Sequence, residues 1–580
     1  MCEVPGIEGR RPQFSWSVDG APFLERLMQT RFAGDTVFPG FTRAGQTWTC
    51  RVELGGHEVQ ASTLVVESDP ADLDPALDPV ARWEEGVVTY AGGQGAQAVT
   101  LTWGLDGWSD RAAPRDALHT NYETMVPRAE VQVAMSRDEN AAWVVDVEVP
   151  DVARALHMIF TVDGVVDDAS GDEYAWDLSF PSVGPYLTWN DVATPANGIV
   201  VNWATGQPGL GVVEYGPDEE NVAYAIGTEV GTVHHVALGG LRAGERWVYR
   251  VRDSLGRVSP WGEFRTVAPA EDRFQFLVAA DMQDSGRFEE RWPAVADAMA
   301  AAWPEARFIL APGDLPADDY PGLWWLFFDG GRELFRSVPL VPAVGNHDNP
   351  GVESSSDTTS WRKWFALPET PGSEAYWRLD YGRVRVLAIN SEVAADLAEG
   401  GKQYGWMEAE MADLWDGDVR AADWTLAQFH VPAYTAGGRF ACLADEQRPI
   451  TTLFGGNIDA VIMAHEHIYQ RFVPLADDGT PASSGEYGLG PDDGVLYLVT
   501  PAAGFFYLDT LMVDPEDQGG EQRGLLAWPE LADDQVEVEG LHGFIVGDAS
   551  PEALRFEFWT TGNTTEPLRA EVADSVTITR

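Results

Sequence analysis

Lysine is almost missing from this chain. Lys363 and Lys402 are the only two among 38 basic residues, which face 92 acidic ones and leave a formal net charge of −54. A charge of that sign repels nucleic-acid phosphates and anionic lipid, so neither is an expected partner. Abundant carboxylates keep a protein solvated at high salt or outside the cell. A compositional bias of the genome accounts as well for the arginine preference, but less well for the acidity. Cysteine is scarce too: Cys2, Cys50 and Cys442 cannot form a disulfide framework in 580 residues. No apolar run reaches the roughly 18 residues of a membrane helix, so no transmembrane segment is expected. The first residues, Met1-Cys2 and then "EVPGIEGRRP", read as a processed lipoprotein whose signal segment has been replaced by a start codon, or as a cysteine of no consequence. The expected location is extracellular, periplasmic or surface-attached, with the signal segment lying outside this chain.

Apolar residues are not lacking. At 45% hydrophobic content and 23 tryptophans the chain reads as folded modules, and its length implies three or four of them. Residues 1–80 read as a β-sandwich module, with "QTWTCRVEL" and "STLVVES" as strands and the acidic, proline-rich "ESDPADLDPALDP" from Glu67 to Pro79 as a linker. Residues 81–180 contain "VTLTWGLDGWSDR", "AAWVVDVEVPDVARALHMIFTVDG" and "DDASGDEYAWDL". That order resembles starch-binding carbohydrate-binding modules, although the closing loop departs from their pattern. The resemblance implies carbohydrate as a partner through Trp108, Trp143 and Trp176, against the plainer reading of tryptophans in a sandwich core. Residues 181–270, with "NGIVVNWAT", "LGVVEYG", "HHVALGGL" and "ERWVYRVRD", resemble a fibronectin type III sandwich.

From residue 271 to 580 the pattern changes to continuous apolar runs, "FQFLVAA", "RFILAP", "VPLVPAV", "VRVLAI", "WTLAQF", "AVIMA" and "VLYLVTPAA". Helical segments such as "WPAVADAMAAAW" and "QYGWMEAEMADLW" fall between them, and the stretch from Leu508 to Val538 reads as an acidic insertion. Strands buried on both faces and alternating with helices predict a layered α/β domain. The polar residues fall where those strands end. "FLVAADMQD" delivers Asp281 and Gln283, and "FILAPGD" delivers Asp314; "LVPAVGNHD" delivers Asn346, His347 and Asp348. "LAQFHVPAY" and "AVIMAHEHIYQR" add His430, His465 and His467. Only ten histidines exist in the chain and four stand at these positions. Any one of them alone reads as a helix cap, a turn or a structural imidazole; together they predict a two-metal site at the sheet's carboxyl edge.

Here the sequence resembles the calcineurin-like metallophosphoesterases, and among them the purple acid phosphatases. Asp281, "GD" at 313–314, "GNHD" at 345–348, His430 and "HEHIYQR" at 465–471 follow the family's five blocks in order. The resemblance implies an α/β/β/α four-layer sandwich behind all-β N-terminal modules. It implies two divalent ions (Zn, Mn or Fe) bridged by Asp314, with Asp281 and His467 on one and Asn346, His430 and His465 on the other. His347 becomes an outer acid oriented by Asp348, and a metal-bridging hydroxide attacks a phosphomonoester or phosphodiester in line.

Three positions depart from the family. Gln283 stands where a histidine ligand is common, and either binds a metal weakly or only hydrogen-bonds nearby. Ala464 replaces a glycine. Ala317 occupies the slot of the iron-binding tyrosine, while Tyr320 lies beyond it, so an Fe(III)–tyrosinate centre is not expected. Arg287, Arg439 and Arg471 are candidates to grip the phosphate, or solvated counter-charges. The expected function is a dimetal phosphoesterase; a polysaccharide-binding protein with a weak or inactive phosphoesterase domain is the alternative.

Overall fold

A computed structural model describes residues 81–108, 128–167, 174–284, 291–349, 358–436, 444–505, 541–562 and 570–580, interruptions of one to four residues aside, with short strands at 118–120, 510–512, 526–528 and 537–539 and the strands within 13–64. The chain forms two compact units, one of residues 1–78, 208–231 and 247–262, the other of residues 79–207, 232–246 and 263–580.

In the first unit Thr47–Leu54 pairs antiparallel with both Gln13–Val18 and His57–Leu64. In the same unit Val212–Gly216 pairs with Val248–Arg252, and that pairing brings two arginines to one acid. Glu214 is buried, with Arg250 Nε at 2.7 Å and Arg252 Nε at 2.8 Å.

In the second unit, residues 81–178 build two antiparallel sheets. Val99–Leu105 lies between Arg128–Ala134 and Ala155–Val162 in one, and Val87–Tyr90 between Trp143–Asp146 and Ala81–Glu84 in the other. One apolar cluster includes Tyr90, Leu101, Trp103, Trp143 and Phe160, and the rings of Tyr90 and Phe160 stack at 3.9 Å. Trp108 is 0% exposed and Trp143 6%, so neither can lie against a sugar ring. The sugar-stacking expectation is corrected for these two; packing, which the sequence does not display, decides their side.

The remainder is two sheets. The first has the order β3-β2-β1-β11-β12-β13, where β1 is Phe274–Val278, β2 Ile309–Ala311, β3 Leu340–Pro342, β11 His542–Ala549, β12 Ala553–Gly562 and β13 Glu571–Thr579. The second has the order β4-β5-β6-β7-β9-β8-β10, with β4 Trp377–Tyr381, β5 Val384–Ala388, β6 Trp424–Gln428, β7 Ala460–Met463, β8 Gln470–Phe472, β9 Leu496–Val499 and β10 Leu526–Trp528. β10 lies inside the stretch expected to be an insertion, so part of that stretch is sheet.

Strands β1 to β3 are mutually parallel, as are β5, β6, β7 and β9, and parallel pairing sends their carboxyl ends to one edge. The sheets meet face to face. Trp377 Nε1 donates to Pro342 O at 3.2 Å, Gln428 Nε2 donates to Val341 O at 2.7 Å, and the Tyr381 ring lies 5.2 Å from Phe274. On the other side of the second sheet Leu387, Ala427, Phe429 and Val461 pack with Met407 and Ile450, which belong to the helices Lys402–Asp413 and Ala444–Thr451.

The helix expected over "WPAVADAMAAAW" is present as α1, Trp292–Ala302, with Pro293 in its first turn, where the missing N–H has no helical partner to lose. Helix α2, Pro321–Gly330, is "PGLWWLFFDG". It is apolar on every side, and Leu323 through Phe328 are all buried, as such a helix must be. Among the described residues no helix is long and apolar enough to cross a membrane.

Candidate metal centre

Asp281, Asp314, Asn346, His430, His465 and His467 all stand just beyond the carboxyl ends of β1, β2, β3, β6 and β7. Four of them hold left-handed backbone: φ is 50° at Asp281, 54° at Asp314, 74° at His465 and 49° at His467. Such a residue costs on the order of 1–3 kcal/mol, and it persists only where its surroundings over-determine it. Two glycines make the crowding feasible. A Cβ on Gly345 would sit 2.4 Å from Asp314 Oδ1, and one on Gly313 2.7 Å from His430 Nδ1. The glycines of "GD" and "GN" therefore let two loops close on the same carboxylate.

Around Asp314 the donor atoms converge. His430 Nε2 lies 3.2 Å from Asp314 Oδ1, 3.1 Å from Asn346 Oδ1 and 3.0 Å from His465 Nδ1. His430 Nδ1–H donates to Pro312 O at 3.0 Å, which leaves Nε2 to face the centre. On the other side His467 Nε2 lies 3.5 Å from Asp281 Oδ1, an oxygen that is buried and accepts no hydrogen bond among the described residues, and His465 N–H donates to Asp281 Oδ2 at 3.3 Å.

Burial and mutual charge pull the titrating groups of this centre in opposite directions. Burial raises the Asp314 pKa, but the imidazoles of His430 and His347 outweigh it and hold the carboxyl well below its usual range. Burial disfavours protonated His430, yet Asp314 overrides it and lifts that imidazole to about 10. His465 moves the other way, pushed well down by burial and by the charge on His430. One proton thus stands among acceptors that otherwise repel one another, where a cation would satisfy more of them. Asp314, His430 and His465 offer ligand atoms that all lie within 4.8 Å of one another. A carboxylate between two imidazole-rich flanks, an amide oxygen and a second carboxylate is a donor set suited to borderline divalent ions.

Other expected residues take different places. Asp348 does not orient His347. Its oxygens accept the N–H groups of Gly345 at 2.7 Å, Asp314 at 3.1 Å and Leu315 at 2.8 Å, so it pins the two metal loops together. His347 is held instead by Ala317, whose carbonyl accepts Nδ1–H at 2.8 Å, and its Nε2 lies 4.0 Å from Asp314 Oδ2. Gln283 Nε2 donates to Asp314 Oδ2 at 3.1 Å. Arg471 is clasped by both oxygens of Asp574, at 2.7 and 3.0 Å, and is not available to grip phosphate. Tyr320, Arg287 and Arg439 lie outside the described residues.

Glu392 was not among the expected site residues. Its carboxyl is buried beside the centre and raised to about 7, by burial first and by Asp314, with His430 opposing. Ser391 Oγ donates to it at 3.0 Å and accepts Val431 N–H at 2.9 Å. The signal was available, because "NSE" follows the run "VRVLAI" as the ligands follow theirs.

Residues 274–469 match the calcineurin-like phosphoesterase family and residues 184–266 the purple acid phosphatase N-terminal domain. The chain is 25% identical to Purple acid phosphatase 21 of Arabidopsis thaliana over 256 residues, 42% of this chain and 54% of that protein. It is 28% identical to an uncharacterized protein of Mycobacterium tuberculosis over 190 residues, 29% of this chain and 35% of that one. The chain thus spans about half or less of the length of these relatives. The structure of purple acid phosphatase PPD1 from yellow lupin seeds superposes with a TM-score of 0.57 at 15% identity, covering 87% of this chain and 95% of that one, which shows a shared fold.

Proposed function

We propose that this chain, which carries a calcineurin-like phosphoesterase domain behind a purple acid phosphatase N-terminal domain, hydrolyses phosphate esters with two divalent ions. The observation that carries the reading is the convergence of Asp314, His430 and His465 within ligating distance of one another. Asp314 would lie between the ions, Asp281 and His467 would hold one, and Asn346, His430 and His465 the other. When bound, the pair supplies Lewis acidity toward a phosphoryl oxygen and a nucleophile near neutral pH. In this reading the two sheets and their flanking helices form the four-layer α/β/β/α body, with domain boundaries near residues 80, 180 and 270, and the acidity suits a place outside the cytoplasm.

His347 is the group left for proton transfer. Because Ala317 O accepts its Nδ1–H, the neutral ring carries no proton on Nε2 and the imidazolium carries one there. Nε2–H can donate to the oxygen of the departing alkoxide, and the neutral tautomer that results is the one Ala317 stabilises. The Nε2 face is partly open to solvent and turned toward Asp314. Asp348 acts at one remove, through the three amides that set the loops. Gln283 holds Asp314 by one oxygen, which helps fix the carboxylate plane.

Elemental analysis of protein purified without chelators, followed by turnover of an aryl phosphomonoester and an aryl phosphodiester before and after chelation, tests this. About two divalent ions per chain and turnover lost on chelation and regained on metal addition are expected. Protein with neither metal nor turnover would overturn the reading and leave a binding role.

A further inference from the structure

The turn Asp106-Gly107-Trp108 is left-handed at three successive residues, with φ of 48°, 72° and 66°. Strain of that extent in a tryptophan-bearing turn is held by several contacts at once. Asp106 Oδ1 accepts Arg154 N–H at 2.8 Å and Ala155 N–H at 3.0 Å, and Gly107 N–H donates to His157 Nε2 at 3.0 Å. The turn presses on the first turn of α2. A Cβ on Gly107 would come 2.4 Å from Gly322 O, and one on Gly322 would come 2.6 Å from Gly107 O. Further along, the His157 ring meets Trp325 edge-on at 6.2 Å, and Arg154 pairs with Asp329 at 2.9 Å.

Helix α2 leads back to the metal loop. Trp324 Nε1 donates to Asp319 Oδ1 at 2.9 Å, and in the same loop Ala317 O accepts from His347. We propose that the Asp106–Trp108 turn is a positioning element of the active site, seating α2 so that the loop from Leu315 to Asp319 holds the His347 imidazole. The 81–178 sandwich is then a working part of the catalyst. The inference rests on the phosphoesterase reading above and on His347 as the leaving-group acid.

Gly107→Ala adds a methyl at the contact, and Gly164→Ala is its control: it is also left-handed, at 85°, in the same sandwich, but a Cβ there meets nothing within 4 Å. Metal content and kcat are measured for each variant with an aryl phosphomonoester, whose leaving group needs little protonation, and an alkyl one, whose leaving group needs it. Gly107→Ala is expected to keep its metal and lose roughly tenfold in kcat on the alkyl ester and under about twofold on the aryl ester. Gly164→Ala should leave both rates unchanged. Trp324→Phe, which removes the bond to Asp319 along with some packing against Trp361 and Trp364, should reproduce the split more mildly and decides the matter if Gly107→Ala does not fold. Equal losses on both esters, or none, would overturn the positioning role. A wild-type protein that turns over neither ester would overturn the phosphoesterase reading, and the inference with it.

Discussion

Two carboxylates are buried in this protein in opposite ways. Glu214, in the first unit, sits between Arg250 and Arg252, cations that never give up their charge. Asp314, in the second, sits among the imidazoles of His430 and His465, groups that can take or release a proton or bind a metal. Both oxygens of Glu214 face permanent cations, whereas those of Asp314 face groups whose charge can change or that carry none. The difference separates a residue that serves the fold from one that serves chemistry: permanent partners close a site, exchangeable ones leave it open to a cation.

Substitution at both positions should expose that difference. Asp314→Asn and His430→Ala should each lower turnover on the order of a thousandfold or more, with loss of bound metal. Near-wild-type turnover of either variant, assayed after purification without chelators, would break the contrast. Glu214→Gln should do the reverse, leaving turnover intact and lowering unfolding free energy by about 1–3 kcal/mol in urea titrations, because two arginines lose their shared partner. Their side chains are 27% and 19% exposed, so partial rehydration limits the loss.

A third strategy, burial in the neutral form, sharpens the comparison. His234 is held down to about 4, by burial first and then by His235. The unfolded chain therefore binds a proton at that ring as pH falls through 6.5, while the folded one does not until near 4. The ring's contribution to stability is complete above pH 6.5 and should fall by about 1.4 kcal/mol per pH unit from there toward 4. His234→Gln should flatten that slope in denaturation curves taken across the window.

The candidate centre was legible because strand ends announce themselves: an apolar run of period-free strand residues stops, and an Asp or His follows. That logic located Asp281, Asp314, His430, His465 and His467 and would have located Glu392 had it been pursued to "NSE". It failed at Asp348, because adjacency to His347 in the chain does not say which way a carboxylate turns, and three loop amides won it. It also left open whether Trp108 and Trp143 faced solvent or core, since a tryptophan in a small sandwich suits both until its neighbours are placed. The left-handed backbone at Asp281, Asp314, His465 and His467 is the cost of bringing separate strand ends to one point, and residue identity alone does not disclose it.

Helix α2 has a consequence for anyone who would move this domain elsewhere. A cut at residue 181, just before the purple acid phosphatase N-terminal match, would strip the sandwich from Gly322 and Trp325 and put a tryptophan-rich flank into water. The compact unit that holds both the sandwich and the two sheets starts at residue 79. Shuffling modules at the apparent seams would part a helix from half of its own interior.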